Sequence, residues 1–353
     1  MDILDNKDKL QQIDKQNMLE TAFRLPELLQ EEKDIAAKTA PPKKNKKINK
    51  IVISGMGGSG ISGDVALDLL ADRIKIPLIL NKNFTVPAAV DKDSLFIAIS
   101  YSGNTEETLS ALKNAIALGA TIAAVTSGGI LKELAIKNKW SLFSLPAGYQ
   151  PRAAFPFLCI ALLTAIGRLT EMGGLLEEID TAIKNISRLK QEYDINKPTR
   201  SNPIKQLAQK IQDKIPIIFA VNGNTSSAAM RMKTQLNENS KITAMVNYYP
   251  ELSHNELVNL SLLKRMDHKF CLLLLRDEKD SEKVKKGLEI IKSLIGMQIG
   301  GIHEIWSQGV NKLGRLLSLI YFGDLLSVYV ALLRNIDPTP VDVLLKMKKE
   351  MKR

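Results

Sequence analysis

Apolar residues in this chain fall into two units in which short apolar runs alternate with longer segments of helical period. Strands that are apolar throughout and alternate with helices are typical of a parallel sheet covered on both faces. The first unit predicts strands at 51–54, 77–80, 94–100 and 119–126 and helices at 62–70 and 105–118. The second predicts strands at 215–221, 270–275 and 302–306 and helices at 225–237 and 281–294. The pattern predicts an α/β fold of two doubly wound parallel-sheet lobes with right-handed crossovers.

Other segments predict helices that surround these lobes, and a length of 353 residues suits two domains. Apolar helices are predicted at 155–171, 175–192 and 313–334, with a short helix near the C-terminus. A polar linker around Asn196-Lys-Pro-Thr-Arg-Ser-Asn-Pro separates the two units. We therefore predict three parts, which are an N-terminal helical segment with a basic linker (1–50), a first lobe (51–195), and a second lobe with C-terminal helices (196–353).

The composition is that of a globular protein, with 45% hydrophobic and 25% charged residues. A net charge of +11 raises the question of nucleic-acid binding. Much of the excess lies in Lys43-Lys-Asn-Lys-Lys and in the segment 346–353, however, and aromatic residues make up only 5%. Little surface is thus available to stack bases, and we expect no nucleic-acid partner. A basic balance also suits an enzyme whose substrates are phosphate anions.

The sequence shows little sign of a membrane protein, a secreted protein or a metal-binding protein. The apolar stretches 95–100 and 157–166 are too short to cross a bilayer, and the first residues lack the layout of a signal peptide. We expect a cytoplasmic protein with no membrane partner. Cys159 and Cys271 lie in apolar runs and are predicted to be buried free thiols. With three histidines and two cysteines, no cluster has the spacing of metal ligands, and no metal is expected.

Gly55-Met-Gly-Gly-Ser-Gly directly follows a predicted strand. Glycines at such a turn let backbone amides converge on an anion at a helix N-terminus. A dinucleotide site would need an acidic residue after the second strand, which ends instead in Asn81-Lys82. A P-loop would need a Gly-Lys-Ser/Thr sequence, which does not follow. The turn therefore indicates an anion site without a nicotinamide cofactor.

A second polar turn, Ser100-Tyr-Ser-Gly-Asn-Thr, also follows a strand and opens a helix. It could be a plain N-cap followed by two glutamates. A cap needs one hydroxyl, however, and this turn has three, from Ser100, Ser102 and Thr105. Ser59 lies in the turn at the neighbouring strand end, where ligands of such sheets bind. The two turns together predict a site for a phosphate dianion.

Several motifs now carry a family resemblance. Gly57-Gly-Ser-Gly-Ile-Ser-Gly-Asp and the Ser100 turn together resemble the first lobe of sugar isomerase (SIS) domains. Later motifs, in the same order along the chain, resemble the bifunctional phosphoglucose/phosphomannose isomerase family of archaea and bacteria. These are Pro151-Arg-Ala-Ala-Phe, Asn237-Glu-Asn-Ser-Lys, Pro250-Glu-Leu-Ser-His-Asn-Glu and Asp337-Pro-Thr-Pro-Val. The resemblance runs from about Leu25 to the C-terminus, whereas the basic linker and the lysine-rich end look particular to this chain.

The resemblance implies an aldose–ketose isomerase. Its phosphate site would be formed by Gly58, Ser59, Ser100, Ser102 and Thr105. The expected reaction is reversible interconversion of glucose 6-phosphate, and of mannose 6-phosphate, with fructose 6-phosphate. It needs no metal or organic cofactor, because the adjacent carbonyl and a fixed cation acidify the proton that moves.

The resemblance also assigns the acid–base residues. Glu238 would move a proton between C1 and C2 through an enediolate, although the residue alone reads as a solvated helix-end glutamate. Arg152 would face the developing enediolate, where a fixed cation lowers the barrier. His254 lies in a polar turn, and its imidazole suits the proton transfer that opens the sugar ring. The resemblance has His254 reach the partner's site in a homodimer. It also assigns Lys348 to ring opening, with Lys346 as an alternative.

Two alternatives remain. One is another SIS-type isomerase, such as the isomerase half of a glucosamine-6-phosphate synthase. That enzyme needs a glutaminase domain with an N-terminal cysteine, and no cysteine precedes Cys159. The other is a regulator that binds sugar phosphates without turnover. Such regulators usually carry a helix-turn-helix, and the segment 1–50 is too short and irregular for one.

Overall fold

The computed structural model of the chain describes residues 2–39, 48–170, 172–260, 267–296 and 299–351, without the side chains of residues 267, 345 and 348. Most of the predicted basic linker and the side chain of Lys348 therefore lie outside the described residues. The N-terminal segment contains three α-helices among its described residues. Its helices are α1 (Lys7–Ile13), α2 (Met18–Phe23) and α3 (Leu25–Ala37).

The first lobe is built on a five-stranded parallel sheet with strand order β2-β1-β3-β4-β5. Every residue of β3 is buried, which explains its continuous apolar run. The elements are β1 (Lys50–Ser54), α4 (Gly57–Leu70), β2 (Leu78–Asn81), β3 (Ser94–Ile99), α5 (Glu106–Ala117), β4 (Thr121–Thr126), α6 (Gly129–Lys137) and β5 (Ser141–Ser144). The strand order reverses between β1 and β3, and ligands of such sheets bind at this switch point.

The second lobe has a four-stranded parallel sheet with strand order β7-β6-β8-β9. The two parallel sheets confirm the predicted fold class. Between the sheets the chain forms α7 (Phe155–Thr170) and α8 (Leu175–Glu192). The second lobe continues with α9 (Pro203–Ile211), β6 (Ile215–Val221), α10 (Ser226–Glu238), β7 (Met245–Tyr249), α11 (Glu256–Leu260), β8 (Phe270–Arg276), α12 (Glu282–Ile295), β9 (Ile302–Trp306), α13 (Lys312–Leu333) and α14 (Asp342–Glu350).

Helix α13 forms the centre of the molecule. It is long and apolar enough to cross a membrane, but 89% of its most apolar window is buried inside the protein, as in a core helix. Helices α8, α9 and α10 pack against it. One hydrophobic cluster includes Ile53 and Ile97 of the first sheet, Leu273 of the second, and much of α13. The two lobes therefore share a core.

Asp68 on α4 joins the lobes through hydrogen bonds. Its carboxylate accepts from the Ser227 backbone N–H at 2.7 Å and from the Ser226 hydroxyl at 2.7 Å. These groups begin α10, and a carboxylate at a helix N-terminus is stabilising because it meets free amides and the positive end of the helix dipole. The bonds fix α10, which ends at Glu238, relative to the first lobe.

Candidate active site

The glycine turn lies at the carboxyl end of β1. Helix α4 begins at Gly57, five residues earlier than predicted, so the glycine-rich segment is itself the first turn of the helix. Gly57 has φ +53°, a conformation that glycine adopts without steric cost. The N-cap position is Met56, which supplies no capping oxygen, so no side chain occupies this helix end. The start of α4 thus keeps its positive dipole end available to an anion.

The Ser100 turn lies beside it at the carboxyl end of β3. Ser100 and Thr105 share a hydrogen bond between their hydroxyls at 2.8 Å. Thr105 occupies the N-cap position of α5 but makes no capping hydrogen bond, so the plain N-cap interpretation does not describe this hydroxyl. The Tyr101 N–H donates to the Ser59 hydroxyl at 3.2 Å and joins the two turns. Ser102 is exposed, and its hydroxyl accepts from the Asn104 N–H at 3.3 Å.

Gly58 lets the glycine turn approach Arg152. A Cβ atom at Gly58 would lie 2.9 Å from the Pro151 carbonyl oxygen and 3.4 Å from the Arg152 Cα. Contacts under 3.0 Å to backbone force a shift, so the close approach requires glycine at this position. The first turn of α4 and the Arg152 turn are therefore in direct contact.

Arg152 is buried, with 4% of its surface exposed, and its guanidinium is held on two sides. Nε donates to Asn239 Oδ1 at 2.6 Å, while Nη2 donates to the carbonyls of Pro338 and Thr339 at 2.9 and 2.8 Å. Burial lowers the pKa of Arg152, and the charge of Glu238 opposes this shift. The motifs 151–155, 237–241 and 337–341, which are far apart in sequence, thus meet at one side chain.

Glu238 lies next to this guanidinium. It is the last residue of α10, whereas the sequence placed it just beyond the helix. Its Oε2 is 3.7 Å from Arg152 Nη1, and its side chain is 32% exposed. The carboxylate is therefore paired with a fixed cation and still accessible to a ligand. Nη1 makes no hydrogen bond within the described part of the chain, so it can still donate to a ligand.

Lys241 and Asn239 are site residues that sequence reasoning did not single out. Lys241 has φ +55°, and its Nζ donates to the Glu238 carbonyl and, at 3.2 Å, to the Pro338 carbonyl. Partial burial lowers the pKa of Lys241, and the charge of Arg152 lowers it further. Both residues belong to the motif 237–241, but their contacts with the Pro338 segment and with Arg152 could not be read from spacing.

The remaining predicted residues are not brought into this cluster. His254 is exposed at the end of a 3-10 turn, Glu251–His254, and its ring makes no hydrogen bond or ion pair among the described residues. Lys348 belongs to α14, but its side chain lies outside the described residues; Lys346 on the same helix is exposed.

Comparisons with known proteins identify the family. Residues 200–351 match the model described as the bacterial phospho-glucose isomerase C-terminal SIS domain. Over 324 residues the chain is 40% identical to the bifunctional phosphoglucose/phosphomannose isomerase of Caldicellulosiruptor bescii, covering 92% of this chain and 96% of that one. The chain belongs to the bifunctional phosphoglucose/phosphomannose isomerase family. A second member, from Thermoplasma acidophilum, is 33% identical over 313 residues, covering 86% of this chain and 90% of that one.

A solved structure independently supports the fold. The C-terminal domain of glucosamine-fructose-6-phosphate aminotransferase from Francisella tularensis superposes with a TM-score of 0.68. It is 18% identical and covers 92% of this chain and 98% of that domain. At this identity the likeness shows a shared fold. Together the comparisons confirm both the family resemblance and the fold class predicted from the sequence.

Proposed function

We propose that this chain is a cytoplasmic isomerase that interconverts glucose 6-phosphate, and mannose 6-phosphate, with fructose 6-phosphate through a cis-enediolate. The observation that carries this proposal is the Glu238 carboxylate 3.7 Å from the buried Arg152 guanidinium. The backbone of the turn that carries Arg152 contacts the start of α4 at Gly58. A base and a cation thus lie beside an anion site, which is the arrangement that an aldose–ketose isomerase of phosphosugars needs.

The phosphate would be bound by the two turns of the first lobe. The hydroxyls of Ser59, Ser100, Ser102 and Thr105 can donate to its oxygens, together with backbone amides at the start of α4 and α5. Ser100 and Thr105 bond to each other without ligand, so both hydroxyls are satisfied before and after phosphate arrives. Each hydrogen bond to a charged group is worth about 1.5–3 kcal/mol.

Glu238 would then move the proton between C1 and C2 on one face of the sugar chain. One carboxylate suffices, because the proton taken from one carbon is returned to its neighbour. As the enediolate forms, negative charge develops on its oxygens. Arg152 Nη1 would meet this charge, and the other guanidinium nitrogens are already held by Asn239, Pro338 and Thr339. A cation fixed in advance stabilises the transition state without reorganisation.

Ring opening would require groups from a second subunit. We propose a homodimer in which His254 of one subunit reaches the site of the other, with Lys348 as its companion. His254 is exposed and unpaired among the described residues of its own chain, which fits a residue that acts on a neighbouring molecule. Its imidazole would move a proton between O1 and O5.

A direct assay tests this function against the two alternatives. Purified protein is incubated with fructose 6-phosphate and no added glutamine, and the sugar phosphates are separated and quantified. We expect glucose 6-phosphate and mannose 6-phosphate to accumulate. Binding of fructose 6-phosphate without any product would favour a sugar-phosphate regulator and contradict the proposal. A requirement for glutamine, with an amino sugar as product, would favour the synthase-type isomerase.

A further inference from the structure

Asp324 is an unusual residue in the middle of α13. Between Leu316 and Leu333 it is the one charged residue in an otherwise apolar helix. Its surface is 4% exposed, and that of its partner Arg231 is 2% exposed. Burying a charged pair costs free energy that the pairing often fails to recover, and well-packed apolar residues would commonly serve stability as well. The pair therefore calls for a role other than stability.

Arg231 connects this pair to the Arg152 turn at two points. Its Nη2 donates to Asp324 Oδ2 at 2.7 Å and also to the backbone carbonyl of Arg152 at 3.1 Å. Its guanidinium also stacks over the ring of Phe155, 4.2 Å from the centroid. Phe155 is the first residue of α7, three positions after Arg152. Both ends of the turn that presents Arg152 thus rest on Arg231.

A second connection from α13 reaches the Arg152 side chain. Ser327 lies one helical turn after Asp324, and its hydroxyl donates to the Asp324 carbonyl at 2.7 Å. The same hydroxyl accepts from Asn239 Nδ2 at 2.9 Å. Asn239 Oδ1 in turn accepts from Arg152 Nε at 2.6 Å. The backbone and the guanidinium of Arg152 are thus positioned from one face of α13.

We propose that Asp324, acting through Arg231, is a positioning residue that holds Arg152 in register with Glu238. This inference rests on the proposed isomerase function. Among the described residues, Asp324 makes no hydrogen bond or ion pair with Glu238 or with the Ser59 and Ser100 turns. Its removal should therefore leave phosphate binding intact and displace the cation that stabilises the enediolate. Misplacement of a catalytic group by about 1 Å can cost about 100-fold in rate.

The test compares Asp324→Asn with Asp277→Asn. Asp277 is a matched control. Its side chain is 2% exposed, and it pairs at 2.9 Å with Arg315, which lies on α13 as Asp324 does. We expect Asp324→Asn to lower kcat about 10- to 100-fold with KM within about threefold of wild type. The Asp277→Asn control should keep kcat within about twofold of wild type, even if its melting temperature falls as much as that of Asp324→Asn. Equal kcat in the two variants at matched stability would overturn the proposal.

A second variant keeps the test decisive if Asp324→Asn does not fold. Arg231→Lys retains a charge for Asp324 but loses the planar fork that also reaches the Arg152 carbonyl. We expect the same fall in kcat at unchanged KM, and a wild-type kcat would contradict the positioning role. Failure of the function itself is distinguishable, because wild-type protein would then show no isomerase activity at all.

Discussion

At the scale of single residues, Arg152 shows how a buried charge is accommodated. Its nearest carboxylate, Glu238, is 3.7 Å away, which is too long for a hydrogen bond. The close partners are neutral oxygens of Asn239, Pro338 and Thr339. Neutral acceptors orient a guanidinium without cancelling its charge. The positive charge would therefore be available to the anion that the proposed reaction forms.

The hydroxyl pair of the second turn gives a prediction for substrate affinity. Replacing Ser100 and Thr105 together by alanine should raise KM by about tenfold or more for each hydroxyl, since each lost bond to phosphate is worth about 1.5–3 kcal/mol. Ser94→Ala is the matched control, because Ser94 lies at the amino end of β3, the end opposite to Ser100. Steady-state kinetics with fructose 6-phosphate measure both variants. An unchanged KM in the double variant would remove the phosphate site from this turn.

Glu32 predicts how stability depends on pH. It is fully buried, neither carboxyl oxygen has a partner among the described residues, and burial raises its pKa to about 9. The folded protein therefore keeps a proton that the unfolded chain releases above about pH 4.5. Its contribution to stability is present below that pH and is lost as pH rises toward 9, with a slope of up to about 1.4 kcal/mol per pH unit.

Glu32→Gln removes this titration. The variant should gain stability relative to wild type as pH rises from 5 to 8.5, measured from urea unfolding midpoints at each pH. Glu31→Gln is the control, because Glu31 is the adjacent residue and is exposed. Stability curves for Glu32→Gln that run parallel to wild type across this range would show that Glu32 is not held neutral.

Much of the site's residue chemistry was predictable, because strand–turn–helix patterns place Ser59, Ser100 and Thr105 at one sheet edge. The surroundings of Arg152 were not. Its hydrogen bond to the Thr339 carbonyl joins positions 187 residues apart, and no local pattern encodes such a contact. Lys241 and the buried pair of Arg231 and Asp324 could not be predicted for the same reason, because their partners come from segments that meet only in the folded chain.

At the scale of elements, the five interior strands that the structure describes were all predicted, whereas only two of the four edge strands, β2 and β9, were. The bounds of β9 and α8 are those predicted from the sequence. The edge strands β5 and β7 were missed; they are four and five residues long and mostly only partly buried, so neither carries a long apolar run. The start of α4 was also misplaced, because glycine has a low helix propensity and its presence argued against a helix there. The glycines are needed for the conformation and close packing of this turn, which only the structure shows.

Two neighbouring glycines at the start of α4 give a matched test of that turn. Gly58→Ala should lower kcat/KM about tenfold or more, because its Cβ would meet the Pro151 carbonyl oxygen at 2.9 Å and push α4 from the Arg152 turn. A Cβ at Gly57 would meet nothing within 4 Å, so Gly57→Ala should cost only the backbone strain of its positive φ. Kinetics of both variants decide the matter. A larger loss in Gly57→Ala than in Gly58→Ala would refute the close-packing argument.

At the scale of the whole molecule, the lobes are joined into one body by a shared core around α13 and by the Asp68 bonds to α10. The Ser59 and Ser100 turns of the first lobe and Glu238 of the second are therefore held in one packed body. Among the described residues, the exposed His254 makes no hydrogen bond or ion pair within its own chain. The shared site of a homodimer would account for it.

Mixing two inactive variants tests the shared site. Homodimers of Glu238→Gln and of His254→Ala should each be nearly inactive. Random exchange makes about half of the dimers heterodimers, and in each of these one site carries both lesions and the other neither. About a quarter of wild-type activity should return, as measured after co-expression. If His254 acts in its own subunit, every site carries one lesion, and mixing demonstrated heterodimers restores nothing.

The central claim is that Glu238 is the base of an isomerase and not an ordinary helix-end glutamate. Glu192 is the ideal comparison, because it also ends a helix, α8, and also pairs with an arginine, Arg188, at 2.5 Å. The decisive measurement is kcat for fructose 6-phosphate in Glu238→Gln and in Glu192→Gln. We expect a loss of at least about 100-fold in the first variant and an unchanged rate in the second. Near-normal turnover by Glu238→Gln would contradict this role for Glu238.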